Sequence, residues 1–281
     1  LGIVTAEALV EAGARTVVLA SRSGKIKHDG QGLEERLEAL RASGATVVLE
    51  TCDTSVEADV EALLARVRER HGPLRVVVHA AGVLDDKLMA TQDAESMRRV
   101  WAPKADGAWY LHKHTAAHDP ELGAFVMYSS IASLFGNPGQ ANYAAANAYM
   151  DGLARWRTAQ GLPGVSVQWP AVTGVGMAAS AGERVAFDAS TSVGVRTVKR
   201  VVRQLLGGGL TTASSAVQAV LPRGLLEEGA LPEANSPLLA NVRIEKPKAA
   251  PRRRGRSGQR RRGASAQSRS HAAAGPGGAA Q

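Results

Sequence analysis

Six short runs of apolar, β-branch-rich residues constrain this chain more than any other feature. They fall at 16–20, 46–49, 76–80, 124–128, 165–169 and 216–220. None shows the polar alternation of a half-exposed strand, so each reads as a strand buried on both faces. The stretches between them read as helices. Residues 33–43 place Leu33, Leu37 and Leu40 on one face and stop at Gly44. Residues 56–70 repeat the pattern and stop at His71-Gly72-Pro73, and residues 3–11 form a further amphipathic stretch. Strands alternating with helices imply right-handed crossovers, hence an α/β fold with a doubly wound parallel sheet. Ligands of such sheets bind beyond the carboxyl ends of the strands, so functional residues are expected just after these runs.

The start of the chain fits one half of a dinucleotide-binding unit. Such a unit places a strand and a glycine-rich turn immediately before a helix like 3–11. Here Leu1-Gly2 leads straight into that helix and Gly13-Ala14-Arg15 turns into the first run. The expectation is therefore a chain whose first strand and glycine-rich turn are missing, with Gly2 as the last glycine of the turn. Free N–H groups at that helix start would favour a pyrophosphate. Arg22 follows the first run, 20 residues after Gly2. An acidic residue there would suit a ribose hydroxyl, whereas a cation suits the extra phosphate of NADPH. The alternative is an arginine on a solvated loop. Asp53 ends the second run and could accept from an adenine amino group, or cap the helix that follows. Ala80, Ala81 and Gly82 end the third run, and their small size would admit a cofactor close to the backbone.

The chemistry concentrates later. Ser130 follows the fourth run, and Tyr143 and Asn147, four apart on an expected helix, share a face. Carbonyl reduction needs a proton donor at the oxygen and a group that polarises it. A tyrosine, with an ordinary pKa of about 10, holds such a proton at neutral pH. A nearby cation is expected to lower that pKa, and Lys104 can supply it from a neighbouring helix.

Together these residues resemble a short-chain dehydrogenase/reductase, and most of all the ketoreductase domain of a type I polyketide synthase. Typical members of the broad family carry Lys four residues after the catalytic Tyr and use an upstream Asn. The synthase ketoreductases exchange the two, as here, with Asn147 after Tyr143 and Lys104 upstream. Ser-Arg-Ser-Gly at 21–24 and His-Ala-Ala-Gly at 79–82 also match. The resemblance covers roughly 1–222. It implies a Rossmann-like fold, NADPH as cofactor, and Tyr143, Ser130, Lys104 and Asn147 as catalytic residues. The substrate would be a β-ketoacyl thioester on an acyl carrier protein, with other synthase domains in the same polypeptide. Leu84-Asp85-Asp86 resembles the motif of B-type domains. Gln140 stands where A-type domains have Trp, and Ala145 where epimerising B-type domains have Pro. A D-configured β-hydroxy product without epimerisation is implied. Trp169-Pro170 departs from the more usual Trp-Gly. Fatty-acid synthase or free-standing reductases remain alternatives.

The net charge of +8 invites a nucleic-acid reading, but ten of the 34 Lys and Arg lie after Glu245, with no acidic residue among them. Residues 1–245 then hold 24 basic and 26 acidic side chains, a net of −2. The reading is a reductase domain over 1–245, with an exit segment at 223–245, and a basic disordered tail or linker at 246–281. Arginines without interleaved aromatics support only nonspecific polyanion attachment, so a noncatalytic fragment with an RNA-binding tail is the rival and nucleic acid is not expected as a partner. The single cysteine, Cys52, excludes an intramolecular disulfide and reads as a buried inert thiol. No run approaches the ~18 apolar residues of a membrane span. No metal site and a cytoplasmic location are expected.

Overall fold

The computed structural model describes residues 1–26, 31–180, 190–207 and 216–226. All of these belong to one compact unit, Leu1–Val242. The basic stretch at 246–281 and most of the expected exit segment lie outside the described residues.

The expected elements form. Helices α1 (Gly2–Glu11), α2 (Leu33–Ala42) and α3 (Glu57–His71) alternate with strands β1 (Thr16–Ser21), β2 (Thr46–Thr51) and β3 (Val76–His79). Then come α4 (Ala94–Trp101), α5 (Gly107–His118), β4 (Ala124–Ser130), α6 (Ala132–Phe135), α7 (Ala141–Ala159) and β5 (Val165–Trp169). Short elements follow: β6 (Ala171–Thr173), α8 (Met177–Ser180), β7 (Ser192–Gly194), α9 (Val195–Leu206) and β8 (Val217–Ala219). The three-residue β6 and β7 pair with each other and carry no run long enough to be read from sequence.

All ladders among the described residues are parallel, in three sheets of order β1-β2, β3-β4-β5-β8 and β6-β7. β1 has β2 as its one hydrogen-bonded neighbour and β3 has β4. Burial on both faces is accordingly realised in β4 and β5 but not in β1 and β2, most of whose residues are half-buried or exposed. That corrects the expectation that every apolar run is fully buried. Alternation along β4 shows the two covered faces. Phe125 and Met127 pack with α3, α5 and α7, whereas Val126 and Tyr128 pack with α1 and α9. Val17 of β1 is held separately between Ala6 of α1 and Leu40 of α2.

Two local features place the site. Between α4 and α5 the chain widens into a π-helical turn, Ala102–Asp106, in which the Gly107 N–H reaches back five residues to Ala102 O. Pro103 has no N–H to give to the normal helical ladder, which explains the widening. At Gly107 any Cβ would come within 3.0 Å of Thr54 O and 3.2 Å of His79 Cε1, so glycine lets α5 start hard against β3.

Candidate active site

The site lies where β4 ends and α7 begins. Ser130 is the last residue of β4, and its Oγ accepts from the Ala132 N–H at 3.2 Å. The chain then turns through Gly136 and Gly139, both at positive φ, into α7. Asn142 fixes that helix start: its Nδ2 donates to Asp85 O at 2.8 Å and Ser96 Oγ at 3.0 Å, and its Oδ1 accepts from the Tyr143 N–H. Tyr143, Asn147 and Asp151 follow at four-residue intervals and therefore line one face of α7.

Lys104 enters from the π-helical turn and is 3% exposed. Its Nζ donates to Asn147 Oδ1 at 3.0 Å and to Tyr128 O at 3.1 Å, and lies 5.1 Å from the centre of the Tyr143 ring. Asn147 Nδ2 donates in turn to Tyr143 O at 2.7 Å. Burial lowers the Lys104 pKa to about 7, opposed by the charge of Asp151. Burial pushes the Tyr143 phenol up, hydrogen bonds with Asn147 and Ser130 pull it down, and the Asp86 charge raises it. The net direction is up. Burial is thus the largest influence on the phenol, and the lowering expected from a nearby cation is not the net result. The phenol consequently keeps its proton at neutral pH, as a donor must.

The loop after β3 closes the site from the other side. His79 is buried, and its Nε2 donates to Lys104 O at 3.0 Å. Burial, helped by the Lys104 charge, lowers its pKa from 6.5 to about 4, so the ring is neutral. Gly82 abuts Lys104: a Cβ there would stand 2.8 Å from its Cε. Leu84 is 44% exposed. Asp85 Oδ2 lies 3.7 Å from Arg99 Nη1, and the Asp86 carboxylate accepts from Gln140 Nε2 at 3.1 Å. Asp86 and Gln140, both singled out from the sequence, thus meet in space.

Of the residues expected at a nucleotide, Arg22, Asp53 and Ala80 to Gly82 follow the carboxyl ends of β1, β2 and β3, and Gly2 opens α1. Gly2 is the exposed first residue of α1 and Arg22 an exposed residue just after β1. Arg22 makes no ion pair among the described residues and acts on Asp53 only at longer range. Asp53 does not cap α3, whose N-cap is Val56; its Oδ1 accepts from Ser55 N and Oγ at 3.0 and 2.6 Å. Ala80 and Ala81, half-buried or exposed, follow β3. A helix start with free N–H groups, a free guanidinium and a row of small residues have the chemistry to hold a phosphorylated dinucleotide. Cys52 is buried, with its thiol pushed up to about 11 mainly by burial. Sequence reasoning missed the roles of His79, Asn142 and Asp151. For Asp151 the available signal was its place on the Tyr143 face of α7.

This arrangement defines a Rossmann-type reductase site: an α/β edge suited to a nicotinamide dinucleotide beside a cluster of buried Lys104 and Asn147 with half-buried Tyr143 and Ser130. Residues 1–174 match the KR domain family, and the chain belongs to it, as a ketoreductase domain of the type I polyketide synthase kind. It is 46% identical over 167 residues to polyketide synthase GfsB of Streptomyces halstedii, covering 59% of this chain and 3% of that protein. It is 44% identical over 197 residues to the spectinabilin polyketide synthase system protein NorB of Streptomyces orinoci, covering 69% of this chain and 9% of that one. The chain thus spans less than a tenth of these large multidomain relatives. Among solved structures it resembles the ketoreductase from the first module of phoslactomycin biosynthesis in Streptomyces sp. HK803. The TM-score is 0.68 at 31% identity, over 83% of this chain and 53% of that one. KR domains are NAD(P)-dependent reductases. No helix among the described residues is long and apolar enough to cross a membrane.

Proposed function

We propose that this chain reduces a β-ketoacyl thioester, presented by an acyl carrier protein of the same synthase polypeptide, to the β-hydroxyacyl thioester with NADPH. The observation that carries the reading is the buried contact set of Lys104, Asn147 and Tyr143 beside Ser130. When bound, NADPH supplies the hydride to the β-carbon. Arg22 grips its 2′-phosphate, Gly2 opens α1 toward its pyrophosphate, and Asp53 meets the adenine. Ala80, Ala81 and Gly82 leave room for it at the backbone.

Ser130 and Tyr143 hold the ketone oxygen, and Tyr143 donates the proton that neutralises the developing alkoxide. Lys104 sits behind the ring as a cation and stabilises the phenolate that remains. Asn147 holds Lys104 and the α7 backbone together. Leu84, Asp85, Asp86 and Gln140 set the face of the ketone presented, with B-type stereochemistry and no epimerisation. Support for this comes from the Gln140–Asp86 hydrogen bond, which ties the 84–86 loop to the start of α7. Residues 1–245 form the reductase and 246–281 a linker.

The test is Tyr143→Phe in the full-length protein, with NADPH oxidation followed on a diketide thioester. Reduction is expected to fall below detection while NADPH binding is retained, and turnover at the wild-type rate would refute the assignment. Chiral chromatography of the wild-type product is expected to give the D-hydroxy isomer with its α-centre unchanged.

A further inference from the structure

Asp151 is a buried carboxylate that the reaction as described does not use. It lies two turns after Tyr143 on the same face of α7 and is 4% exposed. Oδ2 accepts from Ser133 Oγ at 2.7 Å and Gln168 Nε2 at 2.8 Å, and Oδ1 from Ser166 Oγ at 2.6 Å. Three donors on two oxygens suit the ionised carboxyl, which only accepts. Yet Asp151 has no ion-pair partner among the described residues. Lys104, equally buried, has none either. Two isolated buried charges of opposite sign would each be costly, whereas together they leave the interior neutral.

They meet along one face of α7: Asn147, whose Oδ1 accepts from Lys104 Nζ, stands one turn before Asp151. Ser133 Oγ, whose single proton is shared between Asp151 Oδ2 at 2.7 Å and Ser130 O at 2.8 Å, lies 3.4 Å from Ser129 Oγ, which donates to Asn147 O. The other groups facing Lys104 cannot supply the negative charge. His79 on β3 is neutral, Tyr143 on α7 keeps its proton, and Tyr128 on β4 offers a backbone carbonyl. Asp106 on the same π-helical turn is turned to Trp101 Nε1 at 2.9 Å. Asp85 and Asp86 are engaged with Arg99 and Gln140 at the mouth of the site.

We propose that Asp151 is the buried counter-charge that keeps Lys104 cationic, a positioning residue that acts on Tyr143 through Lys104. The inference rests on the proposed role of Lys104 in reduction. Its favourable coupling to Lys104 agrees with the opposition between burial and Asp151 at that ammonium.

The test follows the Lys104 Nζ resonance in 15N-lysine-labelled protein, assigned by its loss in Lys104→Arg, alongside the pH profile of kcat/KM. In Asp151→Asn the Lys104 midpoint is expected to fall by about one pH unit, a tenfold loss of proton affinity. The alkaline limb of kcat/KM moves down with it. Ser166→Ala, which removes a hydrogen bond but keeps the charge, leaves both in place. An unmoved Lys104 midpoint in Asp151→Asn overturns the proposal, as does an equal shift in Ser166→Ala. Should Asp151→Asn fail to fold, Asp151→Ser is read in the same way, and an unmoved Lys104 midpoint there refutes the idea. A shifted Lys104 resonance in wild-type protein that never turns over would sink the ketoreductase reading and leave this one standing.

Discussion

Burial of Lys104 is expected to set the pH range of the proposed reaction. An ammonium that loses its proton near pH 7 stabilises a phenolate below that pH and not above it. The expected outcome is a kcat/KM that falls above about pH 7 with unit slope, read from steady-state profiles; Lys104→Met should lose both this limb and most of the rate. The same group affects stability in a defined sense. The unfolded chain binds this proton up to about pH 10.5 and the folded chain only up to about 7. Between those values the folded state gains as pH rises, and below 7 the full penalty of burying the cation is present. His79 behaves analogously at lower pH. Its proton binds near 6.5 when unfolded and near 4 when folded, so stability is lost as pH falls through that window. The loss amounts to about 3 kcal/mol once both states are protonated. Denaturant titrations from pH 7 to 4 should show it, and His79→Gln, which keeps a donor for Lys104 O, should flatten it. At Gly82 the expectation is kinetic. A methyl group 2.8 Å from Lys104 Cε must displace the ammonium, and Gly82→Ala should cut kcat roughly ten- to hundred-fold with the fold intact by circular dichroism. Tyr143, Ser130, Lys104 and Asn147 could be singled out from sequence because their residue types and spacing match a recognisable pattern, and the structure brings Lys104, Asn147 and Tyr143 together. His79 and Asp151 were not, because a histidine within an apolar strand and an aspartate within a helix acquire meaning only from what they face.

At the scale of elements, the site rests on the end of β4, which with β5 packs differently from β1 and β2. β4 and β5 are buried on both faces, whereas β1 and β3 each have a single hydrogen-bonded neighbour among the described residues. Local opening follows such differences in burial and pairing. Native-state hydrogen exchange is therefore expected to rank the β4 and β5 amides as the slowest and those of β1 as several-fold faster; equal protection across both sheets would contradict this account. The periodic patterns revealed α1, α2, α3 and the six main strands. They did not reveal the π-helical turn at 102–106, although Pro103 marks the place. The carbonyls of the turn itself are met from outside the helix, where Thr54 Oγ1 donates to Pro103 O and His79 Nε2 to Lys104 O, contacts that sequence does not report.

At the scale of the molecule, charge sets the proposed reductase apart from the stretch that follows it. Residues 1–245 carry a net of −2, and the surplus of positive charge lies beyond Glu245. Removing residues 246–281 is expected to leave NADPH oxidation unchanged and to abolish any salt-sensitive retention on a polyanion column, both measured on the purified protein. The order of apolar runs and turns was enough to determine a parallel α/β fold with its chemistry at the carboxyl edge, because burial and chain connectivity act locally and repeat. The exchange of Lys and Asn was enough to indicate the reaction class. The meeting of Lys104 with Tyr143 across 39 residues, the neutral His79 beneath the π-helical turn and the carboxylate of Asp151 behind it were decided only by tertiary structure. Desolvation and charge coupling depend on distance in space, and sequence separation does not report that distance.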